Sequence, residues 1–132
     1  MFAELFALLY VGHLAADYPG QTDHQAKHKA ARTFTGWIAN ATHAGTHVLI
    51  CGVLLVLGAA LLDDVALQPL PAAVALAWIG VTHSVIDRRW PVRWWMENTG
   101  QRQFAAHGGA AHVDQAAHVI ALLVAALFLA AI

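Results

Sequence analysis

The chain has 132 residues, 59% of them hydrophobic and only 11% charged, with a formal net charge of −1. Soluble domains carry about 25% charged residues. This composition therefore excludes an ordinary water-soluble globule and points to one integral membrane domain, residues 1–132. The near-zero net charge leaves no global basic field for nucleic acid.

The expected architecture is all-α: an up-and-down four-helix transmembrane bundle with spans at about residues 2–18, 37–62, 71–88 and 113–132. The first apolar run, FAELFALLYVGHLAAD, is short for a span and stops at Tyr18-Pro19-Gly20. Its Leu14-Ala15-Ala16 end looks like a cleavage site, but Glu4, the lack of early basic residues and His13 argue for a retained helix. Residues 22–32 are polar and hold Lys27, Lys29 and Arg32, with His24 and His28 as surface side chains. They are expected to form a short interfacial helix. Trp37 suits the headgroup level at the start of the second span, Asp63-Asp64 marks its far end, and Cys51 is a small core residue. A short Pro69/Pro71 connection makes spans two and three antiparallel neighbours. After span three, Trp90, Trp94 and Trp95 interleave with Arg89, Arg93 and Arg102, the composition of a second interfacial segment. Gly108-Gly109 breaks the chain before span four, and His107 and His112 beside it read as solvent-side residues.

Nine histidines are the compositional oddity, and they are dispersed rather than gathered in a tag-like tract. Four pairs recur at a spacing of four: His13/Asp17, His43/His47, His83/Asp87 and Asp114/His118. That spacing puts both members on one helix face. Alternating spans bring the ends of one and three beside the starts of two and four, so all four pairs meet at one membrane face. Chain direction sorts them by depth: His13, His47, His83 and His118 below; Asp17, His43, Asp87 and Asp114 one turn nearer water. Gly12, Gly45 and Gly80 fall at this level as close-approach positions, and Gln21 extends the first face outward. All seven Lys and Arg lie in the two loops at this end. The positive-inside rule then places it in the cytoplasm of a bacterial inner membrane, with both termini outside.

Ionisable groups inside a membrane are costly and usually mark a site. The bland alternative is a buried polar network that only fixes helix register. Neutral imidazoles and carboxylates are the donors Zn, Mn or Fe accept, and helix bundles hold such sites. His13, Asp17, His43, His47, His83, Asp87, Asp114 and His118 are the candidate ligands. Three aspartates suit two ions better than one. Asp114, His43, Gln21 and Gln115 are candidate acid/base or orienting residues, with Thr42, Thr46, Thr82 and Ser84 behind them. A metal site at headgroup depth suggests hydrolysis of a lipid or lipid-linked ester or phosphoester. Arg88, Arg89 and Arg93 would hold the headgroup. The expected partners are membrane lipids and a lipid-like substrate, with no nucleic acid and with self-association open. Two alternatives stand beside this reading: a metal or proton carrier or sensor, and a haem-binding bundle.

The ordered set HLAADYPGQ, His43/His47, HSVID and DQAAH resembles a family of small bacterial and phage integral membrane proteins, catalogued as domain of unknown function 3307. The set is more distantly similar to inner-membrane proteins labelled metal-dependent hydrolases. That likeness implies a bound metal and hydrolysis.

Overall fold

The computed structural model describes residues 1–132, and all of its regular structure is helical. Helices α1 (Phe2–Asp17), α2 (Asp23–His28), α3 (Phe34–Leu61), α4 (Pro69–Ile86), α5 (Trp90–Asn98), α6 (Arg102–Phe104) and α7 (Ala110–Ala130) follow in order. A kinked turn, Ala105–Gly109, leads into α7, with Gly108 at φ 89°. That positive φ is one only glycine adopts freely.

Three stretches are long and apolar enough to cross a membrane: Phe34–Leu61, Pro69–Ile86 and Arg102–Ala130. α1, with 16 residues, lies just under the lower limit of about 17 for a span. α3 begins before the expected Trp37, because Thr33 stands in extended backbone and its hydroxyl accepts from the Gly36 amide at 3.1 Å. A Cβ on Gly36 would collide with the Ala31 carbonyl, so this glycine lets the incoming loop fold tightly against the helix start.

The four long helices pack as neighbours running in opposite directions. α1 lies on α3 and α7, and α4 lies on the same two. Gly12 abuts Cys51 and Gly58 abuts Leu8 across α1 and α3. Across α3 and α4, Gly80 abuts Val48 and Asn40 donates to the Ser84 carbonyl at 3.1 Å. The Trp78 indole donates to the Ala121 carbonyl at 3.0 Å, tying α4 to α7. Small residues at these crossings let backbones approach, the main source of helix adhesion where lipid already solvates apolar side chains. Gly45 is different: nothing lies within 4 Å of its Cβ position, so it faces outward and is not a packing glycine as expected.

Leu5, Leu9, Cys51, Leu55, Ile79, Leu122 and Leu129 form the apolar core away from the polar end. Leu49, Val56, Val81, Ile120 and Leu127 stay exposed on the outer surface. Helices apolar on every side are the pattern of a lipid-facing unit.

The polar end is roofed by the two loop segments. α2 is closed by a capping box: the Gln25 amide donates to the Thr22 hydroxyl at 3.2 Å, and the Thr22 amide donates to Gln25 Oε1 at 2.9 Å. Residues 29–33 then fold back over the ends of α3 and α4. Arg88 locks them there, donating to the Lys29 carbonyl at 3.0 Å and the Ala31 carbonyl at 2.8 Å. The same guanidinium lies 3.9 Å from the centre of the Trp37 ring.

Candidate metal centre

The helix i, i+4 spacing turns each pair inward, and antiparallel packing brings them to one level. Asp17, His43, His47 and His83 place ligand atoms within 4.8 Å of one another, as do His83, Asp87 and His118. These buried groups could hold a metal ion. Asp17 Oδ1 lies 3.2 Å from Nε2 of both His43 and His47 and 3.8 Å from Nε2 of His83. Asp87 Oδ2 lies 3.0 Å from His83 Nε2 and 3.4 Å from His43 Nε2. His13 joins through Nε2, 3.2 Å from Asp17 Oδ2. The histidine rings pack closely, with His47 and His83 centroids 3.5 Å apart and those of His83 and His118 4.4 Å apart.

Hydrogen bonds alone do not satisfy this set. His43 Nε2 faces two donors, Lys29 Nζ and Gln21 Nε2, both at 3.2 Å, and the oxygens of two aspartates as well. A single ring nitrogen cannot accept from two donors and also donate to two carboxylates. His118 Nδ1 donates to the Asp114 carbonyl at 3.0 Å, which leaves a lone pair on Nε2. That Nε2 is buried without a partner, as are His43 Nδ1 and His47 Nδ1, while His13 Nε2, His83 Nε2 and Asp87 Oδ2 have only the poorly aligned imidazole–carboxylate contacts given above. A buried polar atom left with no partner at all, as His118 Nε2 is, costs about 1–3 kcal/mol. Ligands bonded at about 2.0–2.2 Å to a tetrahedral ion stand roughly 3.3–3.6 Å from one another. The separations around Asp17 and Asp87, 3.0 to 3.8 Å, bracket that spacing.

Asp114 stands apart. Its carboxylate lies 3.5 Å from His118 Nδ1 and is 25% exposed, outside both ligand groups. Gln115 is half-buried. Gln21 donates to the Asp17 carbonyl at 3.2 Å and reaches His43. Thr42, Thr46 and Thr82 bond back to their own helix carbonyls; among the expected supporting hydroxyls Thr42 also accepts from the Gln25 side chain of α2 at 3.4 Å, and Ser84 donates across to Asn40. Arg88 is not a free headgroup ligand: it is buried and spends its donors on the first loop. Arg89 and Arg93 line a cavity at the mouth of the cluster. His24 and His28 pair with each other on the surface, away from the cluster.

Lys29 was not singled out in the sequence, yet its ammonium lies 2.9 Å from Asp87 Oδ1 and it is 9% exposed. Its position depends on the fold of a loop and carries no periodic signal. Asn40, 1% exposed, shares the α3 face of His43 and His47, and its i, i+3, i+7 spacing to them is the signal that marks it.

A family described as "Protein of unknown function (DUF3307)" matches residues 5–132. The chain belongs to this family. The DUF3307 match covers every residue of the cluster and all four long helices apart from the first residues of α1. No curated protein and no solved structure matches the chain. The similarity to inner-membrane hydrolases finds no support there.

Proposed function

We propose that this DUF3307 chain is an integral membrane metal-binding protein, a metal-dependent hydrolase of lipid or lipid-linked esters or phosphoesters. In this reading its four long helices form an up-and-down bundle in a bacterial inner membrane. The site lies just under the cytoplasmic surface, where all seven Lys and Arg gather, and both termini are outside. The observation that carries the reading is the convergence of buried imidazole nitrogens and carboxylate oxygens around Asp17 and Asp87, several of them without a well-aligned hydrogen bond.

Asp17, His43, His47 and His83 would hold the ion, with Asp87, His118 and His13 beside them. The inner charges are two carboxylates and the Lys29 ammonium, one net negative charge. One divalent ion makes this singly positive; two would leave three positive charges among buried side chains, at high desolvation cost. With Asp114 outside the ligand groups and Lys29 inside, we favour one ion over the expected two. Zn, Mn or Fe in such a site lowers the pKa of a bound water and polarises a carbonyl or phosphoryl oxygen. Asp114, at the mouth and free of the ligand set, would take the proton from the attacking water. Gln21 and Gln115 would orient water and substrate, and Arg89 and Arg93 would meet the headgroup.

The alternatives fit less well. A carrier needs a polar path through the far half, where Leu5, Leu9, Leu55 and Leu129 fill the core. A haem needs a slot between two axial imidazoles, whereas these rings pack 3.5 to 5.6 Å apart.

The test is metal analysis of the protein purified in detergent, with the helical circular dichroism spectrum as a check on folding. One divalent ion per chain is expected, with at least a tenfold loss of affinity in His47→Ala and Asp17→Ala. Full metal content in both folded variants would reject the site.

A further inference from the structure

A cavity of about 980 Å³ opens at the mouth of the cluster, between the first loop, α5 and the start of α7. Its size is at the upper end of small-molecule sites, about 300–1,000 Å³. α5 builds one wall by a simple rule of spacing. Arg89, Arg93 and Glu97 recur every four residues, and Val92 and Met96 run beside them on the same face. Trp90, Trp94 and Trp95 point the other way and are exposed. This seats α5 at headgroup depth in a membrane, with its charged stripe turned to the cavity.

The cavity is lined by four cations, Lys29, Arg89, Arg93 and Arg102. Only Lys29 has a carboxylate partner, Asp87; the three guanidiniums form no ion pair. Arg89 is the single non-glycine residue at positive φ, 63°. Holding an arginine there costs of order 1–3 kcal/mol, and such strain gathers at ligand sites. The turn it makes separates two neighbours of opposite use: Arg88 goes inward to clamp the loop, and Arg89 goes to the cavity. Lys29 and Asp87 belong both to the cavity lining and to the cluster, so the two spaces are continuous.

We infer that this cavity binds a phosphate monoester, its phosphate held by Arg93, Arg89 and Arg102 and its organic part lying against Val92 and Met96. The inference rests on the metal reading for its charge balance. The four cations are offset by Asp17, Asp87, Glu97 and Asp114, so a bound divalent ion leaves the combined site two charges positive. A phosphate monoester dianion neutralises that; a zwitterionic or neutral headgroup does not. Guanidinium forks match phosphate oxygens in pairs; Arg89 and Arg93 supply theirs unpaired, and Arg102 keeps its terminal nitrogens while its Nε donates to the Glu97 carbonyl at 3.3 Å. The volume far exceeds a bare phosphate, so the ligand carries an organic remainder. The Trp-flanked depth of α5 favours a lipid as its source.

The experiment titrates metal-loaded protein in detergent with dioctanoyl phosphatidic acid, dioctanoyl phosphatidylcholine and glycerol phosphate, following tryptophan fluorescence from α5. Phosphatidic acid is expected to bind at least tenfold more tightly than phosphatidylcholine. Arg93→Gln, an exposed position, should lose at least tenfold of that affinity while keeping its metal. Glycerol phosphate binding as tightly as the lipid would keep the phosphate monoester and assign it a soluble source. Equal binding of the two lipids, or an Arg93→Gln protein that binds phosphatidic acid as well as the parent, would overturn the inference. Arg93-dependent binding by protein that takes up no divalent metal when offered it would instead reject the metal reading and leave this site standing on its arginines.

Discussion

Lys29 is the residue on which the site's charge turns. It is a fixed cation held against Asp87 and His43, two groups that a metal would also recruit. Replacing it by methionine removes a positive charge beside the candidate ligands while keeping the apolar stem. Lys29→Met should therefore bind divalent metal at least tenfold more tightly, or take up a second ion, in a titration against a competing chelator. The metal-free variant should lose about 3–5 kcal/mol of stability, because breaking a buried pair leaves a carboxylate uncompensated. Metal should restore most of that loss. Unchanged metal affinity would show that Lys29 does not compete for Asp87. The i, i+4 pairs around this residue were legible in the sequence because helix periodicity is local. Lys29 was not, since it reaches Asp87 only through a loop fold set by residues far along the chain.

At the scale of elements, the loop that carries Lys29 behaves as a strap with one clasp. Arg88 makes two buried hydrogen bonds to its carbonyls and stacks on Trp37. Hydrogen bonds to charged groups contribute about 1.5–3 kcal/mol. Arg88→Ala should sharply raise hydrogen exchange over residues 23–33 while the middle of α3 and α4 keeps its protection. Arg88→Lys should rescue little, because a single ammonium cannot span both carbonyls. Normal protection of the strap in Arg88→Ala would assign the clasp to the α2 capping box and the Thr33 cap instead. Arg88 also shows what sequence reading confuses. An arginine beside a span end suits topology, headgroup binding or loop clamping equally, and only the partner carbonyls decide. Helix existence was readable from apolar runs. The start of α3 was not, because Thr33 adds a polar turn ahead of Trp37. Asp114 lies nearer the surface than buried His118, as its place in the pair predicts, but it stands outside both ligand groups.

For the whole molecule the open quantity is how α1 sits, and length makes the question sharp. At about 1.5 Å per residue, its 16 residues give roughly 24 Å against a hydrocarbon core of about 30 Å. A shorter helix is accommodated by local thinning of the bilayer or by snorkelling side chains, at fractions of a kcal/mol per Å. That is a small cost beside the contacts α1 makes with α3 and α7, where it carries His13 and Asp17 into the buried cluster. α1 should therefore cross. With the buried Cys51 replaced by alanine, single cysteines can be placed at the exposed positions Ala3, Asp23, Asp64 and Thr99. A membrane-impermeant maleimide applied to right-side-out vesicles should label Ala3→Cys and Asp64→Cys. Inverted vesicles should expose Asp23→Cys and Thr99→Cys. Labelling of Ala3→Cys together with Asp23→Cys would make α1 a surface helix. His13 could then not lie buried among the other histidines, and the proposed metal centre would lose the helix that supplies Asp17. Labelling with all four sites exchanged between the two vesicle types would keep the bundle and reverse its orientation. The cavity beside the cluster would then face outward.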